Sequence, residues 1–210
     1  MIKSPIYPPR PRGKISPSDL PYYEKTGLWV AQRKFNDSRN LLRVDLGLEL
    51  SVWSRHGGKH VRFSLNKALA EEIKANLKLD PNKTYWLDGG VMNKTKNGPN
   101  SVVFFDVLEA GRYFFNGPDQ MKRLEILYDI CGNPTTKTEN GLALKISDNL
   151  WLAETFADHF VDRFKESETT DMIEGLVLRR KDSVLDNFGK VEYEIDWQIR
   201  CRKSNKNYNF

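Results

Sequence analysis

Cysteine is scarce: Cys131 and Cys201 are the only two. That is too few for a disulfide scaffold or a four-thiolate zinc site, and it points to a reducing, cytoplasmic setting. Long apolar runs are missing as well. None approaches the roughly 20 residues of a membrane span, and the start MIKSPIYPPRPRGK lacks the apolar core of a signal peptide, so no membrane partner is expected. There is no internal repeat, no Gly-rich Walker loop and no locally supported Ser/His/Asp arrangement. His56 and His60 are four apart but flank a Gly-Gly turn instead of sharing a helix face, which argues against a zinc pair.

What is present is enough to fold. The chain has 210 residues, 39% hydrophobic and 11% aromatic, which suits one domain with a sizeable core and excludes wholesale disorder. Its net charge of +5 is unevenly spread. Residues 1–21 carry Lys3, Arg10, Arg12 and Lys14 against Asp19; residues 200–210 carry Arg200, Arg202, Lys203 and Lys206 with no acid. The remainder is slightly acidic. A basic surplus at both ends favours a phosphate-bearing polymer, because Lys and Arg gain affinity by releasing its counterions.

Six of the ten prolines fall in residues 1–21, which reads as an extended basic arm outside the core. Short strands follow. LWVAQRKF and NLLRVDLGLELSVWS are rich in β-branched, aromatic and alternating apolar residues, and Gly57-Gly58 turns the chain into HVRFSL as a hairpin. Residues 66–78 place Leu69, Ile73 and Leu77 on one helical face behind Asn66 as cap. TYWLDGGVM and SVVFFDVL are two more strands, separated by the turn-rich KTKNGPN. Helical spacing appears at Met121, Leu124, Leu127 and Tyr128, and again over residues 151–165; GLVLRR and YEIDWQIRCR close as strands. No βαβαβ alternation is visible, so the expected class is α+β, with antiparallel sheets flanked by helices. Glu166 and Glu168 read as a solvated helix end.

Lys34 ends an apolar strand and is followed by Asn36, Asp37, Ser38 and Arg39. Partial desolvation and the flanking cations Arg33 and Arg39 both disfavour its charged form, the condition for a nucleophilic amine.

The later segments share an order with this one: RKFNDSR, WSRHGGK, LDGG, FFDVL, EGLVLRR and WQIRCRK. The series resembles the covalent nucleotidyltransferase superfamily of ATP-dependent DNA ligases, RNA ligases and mRNA capping enzymes. That superfamily orders a Lys-any-Asp/Asn/His-Gly-any-Arg nucleophile motif, a Ser-Arg-Asn/Gly-Gly hairpin, and Asp-Gly-Glu, Phe-Asp-Ile/Val-Leu, Glu-Gly-any-Val and Trp-any-Lys-any-Lys strands. MKRLEIL stands where ligases place Arg-Arg-any-any-Leu. The resemblance implies a ligase-type, ATP-grasp-like adenylation domain over residues 22–203, between the arm and a basic tail at 204–210, with no room in this sequence for the OB-fold that many members append.

It also implies roles. Lys34 would attack the α-phosphate of ATP; Arg39, Arg55, Arg179, Arg200 and Arg202 would supply cations; and Glu174 would hold Mg2+ or Mn2+. Phe105 would stack on adenine, Gln32 would reach the base edge, and Asp88 would touch the nucleotide. The partner implied is a nicked or single-stranded nucleic-acid end, DNA or RNA, handled by a monomer. Three departures stand out: Asp37 replaces the motif's glycine, Gly90 replaces the glutamate of Asp-Gly-Glu, and arginines replace the lysines of the last two motifs. Arginine keeps the charge but cannot give up a proton. The competing expectations are therefore a working polynucleotide ligase and a degenerate core that binds ends without efficient adenylyl transfer, with guanylyl transfer to RNA caps third.

Overall fold

A computed structural model of the chain describes residues 7–60, 63–92, 101–112, 114, 117–185 and 193–204. Two sheets face each other. The five-stranded sheet is ordered β1-β11-β10-β2-β9, and the six-stranded sheet β4-β3-β5-β6-β8-β7. The first combines β1 (Arg10–Ile15), β2 (Trp29–Phe35), β9 (Thr155–Phe156), β10 (Ile173–Arg180) and β11 (Glu194–Arg202). The second combines β3 (Ser38–Asp45), β4 (Glu49–Ser54), β5 (Tyr85–Met92), β6 (Ser101–Ala110), β7 (Leu144–Lys145) and β8 (Leu150–Leu152). Pairing is antiparallel except for one parallel pair in each sheet, β1–β11 and β6–β8.

Side-chain alternation along the strands divides the apolar residues among three cores. Leu176 and Leu178 of β10 and Ile199 and Cys201 of β11 pack against α1 (Leu20–Lys25) and α4 (Phe160–Lys165). The outer face of the second sheet packs against α2 (Lys67–Asn76) and α3 (Gln120–Ile130) through Ile73, Leu127 and Ile130. Between the sheets lie Phe35, Met92, Val103, Phe105, Trp151 and Ile173. The layers thus run helix, sheet, sheet, helix, as expected for the α+β class.

The cap at Asn66 forms: its side chain accepts from the Leu69 amide at 2.8 Å. Leu69, Ile73 and Leu77 are all buried, since i, i+4, i+8 spacing keeps them on one face.

Several expectations need correction. The run over residues 40–54 is not one strand, because a turn at Leu46–Leu48 with Gly47 at φ 73° folds it into the β3–β4 hairpin. Residues 151–165 are not one helix: β8 and β9 occupy the first half, and only Phe160–Lys165 is helical. Of the face read for α3, Leu124 and Leu127 are buried, but Met121 is exposed and the fully buried Arg123 turns inward beside the leucines. Glu166 is no solvated end, since it accepts from Arg33 at 2.7 Å and Arg163 at 2.9 Å.

The described part of the proline-rich arm is only partly extended, Arg10–Ile15 being a strand and Pro17–Asp19 a helical turn, and it does not lie outside the core. β1 pairs in parallel with β11, and Leu20 is fully buried. Prolines fit there because the strand forms the edge of its sheet, where a missing donor costs no ladder bond. For the hairpin after Gly57-Gly58, the structure shows a bridge between Trp53 and Lys59; residues 61–62 of HVRFSL, the KTKNGPN turn and most of the basic tail lie outside the described residues. Among the described residues no helix is long and apolar enough to cross a membrane.

Candidate active site

The register of three neighbouring strands lays out one floor. Lys34, Gly175 and Arg202 stand side by side across β2, β10 and β11; Gln32, Val177 and Arg200 form the next row; Val30, Arg179 and Gln198 form the third. The other face of these strands carries the leucines that meet α1 and α4, so period-two alternation turns the polar set inward. Over this floor opens a cleft of about 640 Å³, lined also by Arg39, Arg55 and Phe105 from the second sheet and by Pro8, Arg10 and Pro11 from the N-terminal segment.

Nine of the ten residues singled out from the sequence line this cleft: Gln32, Lys34, Arg39, Arg55, Phe105, Glu174, Arg179, Arg200 and Arg202. Asp88 does not. It is buried beneath the wall, where it accepts a two-pronged bond from Arg39, with Nε at 2.6 Å and Nη2 on the other oxygen. Its contact is therefore with the cleft's arginine. Burial works against the charge of Arg39, but Asp88 outweighs it and holds the guanidinium above the ordinary arginine value.

At the Lys34 end of the cleft, Lys34 Nζ donates to Glu174 Oε2 at 2.5 Å, and Arg202 Nε lies 3.4 Å from the same oxygen. Glu174 reaches Lys34 because it is the extra residue of a bulge, the register slipping between Ile173 and Gly175. Glycine is required at 175: its φ is 141°, and a Cβ there would collide with the Cys201 carbonyl. Burial pushes the Lys34 amine below the ordinary lysine value; Glu174 and Asp37 oppose that shift, and Arg202 adds to it.

The second cation thus differs from the expected pair. Arg33, next along β2, turns away and is bonded to Glu154 and Glu166, and Arg39 is claimed by Asp88. Burial and the neighbouring Arg202 and Arg10 likewise hold Arg200 below the usual arginine range. Arg200 makes no ion pair among the described residues, which leaves a half-buried cation directed at the cleft. Arg55 sits exposed on the rim, its Nε 3.0 Å from His56 Nε2.

Phe105 is both core and wall. Its ring packs on Phe35 at 6.3 Å between centroids and 19° between planes. Its carbonyl accepts from Gln32 Nε2 at 3.2 Å and Arg179 Nη1 at 3.1 Å, which ties the two sheets together above Val177. Arg179 also bonds Asp106 at 3.2 Å. It belongs to the wall under Phe105, two rows away from the Lys34 end.

Sequence reasoning missed Gln198 and Arg10 as cleft residues. Alternation with Arg200 and Arg202 could have found Gln198; nothing local marks Arg10, which arrives through the parallel pairing of β1.

Asp37 and Gly90, read as two separate departures, share one space. A Cβ on Gly90 would run into the Asp37 side chain, so a cleft carboxylate hangs from position 37 over the place where a side chain at 90 would stand.

A divalent cation finds limited protein ligation here. Among the described residues no three His, Cys, Asp or Glu side chains converge on a metal site. Glu174 and Asp37 are the carboxylates that line the cleft, and Glu174 at the Lys34 end fits Mg2+ or Mn2+ held through one carboxylate plus phosphate and water oxygens.

No family model and no curated protein matches the sequence. Solved structures do. A mycobacterial DNA ligase D complexed with ATP and MES superposes with a TM-score of 0.57 at 18% identity, covering 84% of this chain and 55% of that one. The ligase domain of LigD from M. tuberculosis gives 0.52 at 18% identity over 81% and 52%. A structure from work on Lig E DNA ligases gives 0.50 at 16% identity over 93% and 69%. The chain spans about half the length of the first two. Sheets, cleft and these likenesses agree: the chain has the fold of the ligase domains of these DNA ligases.

Proposed function

We propose that the protein is an ATP-dependent polynucleotide ligase that works through a lysyl-AMP intermediate on Lys34. The observation that carries this reading is the Lys34–Glu174 contact at the end of a cleft walled by arginines. In the first step the Lys34 Nζ lone pair forms a bond to the α-phosphorus of ATP. The bond from that phosphorus to the bridging oxygen breaks, and pyrophosphate leaves with the electron pair. Glu174, already in hydrogen-bond contact, takes the displaced proton.

A 5′-phosphate oxygen of the nucleic acid then attacks the same phosphorus, the N–P bond breaks and Nζ recovers a proton. Finally a 3′-hydroxyl attacks the activated 5′-phosphate and loses its proton to solvent, and AMP departs.

Arg200 and Arg202 stabilise negative charge on the transferring group, and Arg39 is aimed by Asp88. Glu174 would hold a divalent cation, which would supply charge neutralisation on the phosphates. Adenine lies between Phe105 and Val177. The likeness to DNA ligases supports DNA as the polymer.

Incubation with ATP and Mg2+ followed by mass spectrometry tests the reading. An AMP adduct on Lys34 is expected, absent in Lys34→Ala at an unchanged far-UV circular dichroism spectrum. An adduct on another lysine, or none with any nucleoside triphosphate, overturns it. Salt-dependent binding of DNA ends without an adduct would favour the end-binding core instead.

A further inference from the structure

The third row of the floor holds a group with no assigned task. Gln198 is 3% exposed and lines the cleft, yet its carboxamide makes no hydrogen bond among the described residues, and its Oε1 is fully enclosed. Opposite it on β10, Arg179 spends Nη1 on Phe105 and Asp106 while its Nε is also enclosed without a partner. Buried polar groups are rarely left unpaired, because water gives up its bonds to them at a cost that only a new partner offsets. Gln32, one row nearer Lys34, is already committed: its Nε2 donates to the Phe105 carbonyl and, at 3.1 Å, to Thr155 Oγ1.

We propose that Gln198 reads the edge of the nucleobase, pairing its carboxamide with the adenine of the bound nucleotide. Gln198 lies four residues from Arg202 on β11, roughly 13 Å at strand rise, so a nucleotide laid along the strands with its phosphate at Lys34 brings its base towards the third row. A carboxamide offers a donor and an acceptor in one plane. Adenine answers both, with a ring nitrogen beside its exocyclic amino group. Guanine carries two neighbouring donors, N1–H and its 2-amino group, which the two oxygens of a carboxylate match, whereas a carboxamide can meet guanine only at O6 and N1–H; a carboxylate in turn faces adenine's ring nitrogen with no proton between them. This assignment rests on the nucleotidyl-transfer reading above and adds to it a residue that sets nucleotide choice.

Equilibrium binding of ATP and GTP is measured with the full chain carrying Lys34→Ala, so that no reaction intervenes, alone and combined with Gln198→Leu or Gln198→Glu. Covalent labelling with both nucleotides is run in parallel on the same two variants with Lys34 intact. Losing one bidentate pair should weaken ATP binding about tenfold in Gln198→Leu. The near-isosteric Gln198→Glu should shift the preference towards GTP in binding and in labelling, a change that a purely structural role would not produce. An unchanged ATP-to-GTP ratio in the Glu variant overturns the proposal, even if the Leu variant fails to fold. If the parent forms no adduct but binds nucleotides with a Gln198-dependent preference, the ligase reading falls and this one stands.

Discussion

Lys34 and Gly90 show how single positions acquire their meaning from contacts. A lysine is nucleophilic only when neutral, and burial lowers the pH at which that form appears, against the pull of Glu174 and Asp37. The rate of adduct formation should therefore rise with pH and level off below the range of a solvent-exposed lysine, measured by labelling across a pH series. Gly90 is constrained by Asp37, whose side chain fills the space its Cβ would need. Gly90→Glu alone should lower the melting temperature and slow labelling. Asp37→Gly combined with Gly90→Glu should restore much of both, since the carboxylate then hangs from the other strand. Additive losses in this double-mutant cycle would show that the two positions are independent.

At the scale of elements, α3 is joined to the sheets by a buried arginine in addition to its apolar face. Arg123 is 0% exposed; it bonds Asp106 at 3.2 Å and 3.3 Å, Gln120 at 2.7 Å, and the carbonyls of Pro118 and Ser183. Asp106 also accepts from Arg179, so α3, β6 and β10 meet on one carboxylate. Arg123→Met should cost about 3–5 kcal/mol in chemical denaturation, because it leaves part of a buried charge network uncompensated. A loss under about 1 kcal/mol would mean that the charge is dispensable and the packing carries the contact. The period of the helix could place residue 123 only within its sequence; that its guanidinium turns inward followed from Asp106, supplied by a strand 17 residues earlier.

For the molecule as a whole, the N-terminal segment is both structure and charge. Deleting residues 1–14 would strip most of an edge strand from the first sheet along with four cations, so truncation confounds two effects. Arg10→Gln with Lys14→Gln keeps β1 and removes charge alone. Each lost phosphate contact should flatten the log–log salt dependence of duplex binding by about 0.9. A slope unchanged from the parent would place the nucleic acid away from this edge.

What the sequence determined by itself was local and ordered: the strand ending at Lys34, the helix capped by Asn66, and the succession of motifs that names Glu174, Arg200 and Arg202. Those features depend on period, composition and chain order, which a linear string carries in full. The tertiary structure alone decided the rest. It joined β1 to the sheet and carried Arg10 to the cleft, sent Asp88 to Arg39, exchanged Arg33 for Arg202 beside Lys34, and left Gln198 unpaired on the floor. Each of these turns on which strands lie side by side and in what register, and a shift of one residue would have turned every one of those side chains to the opposite face.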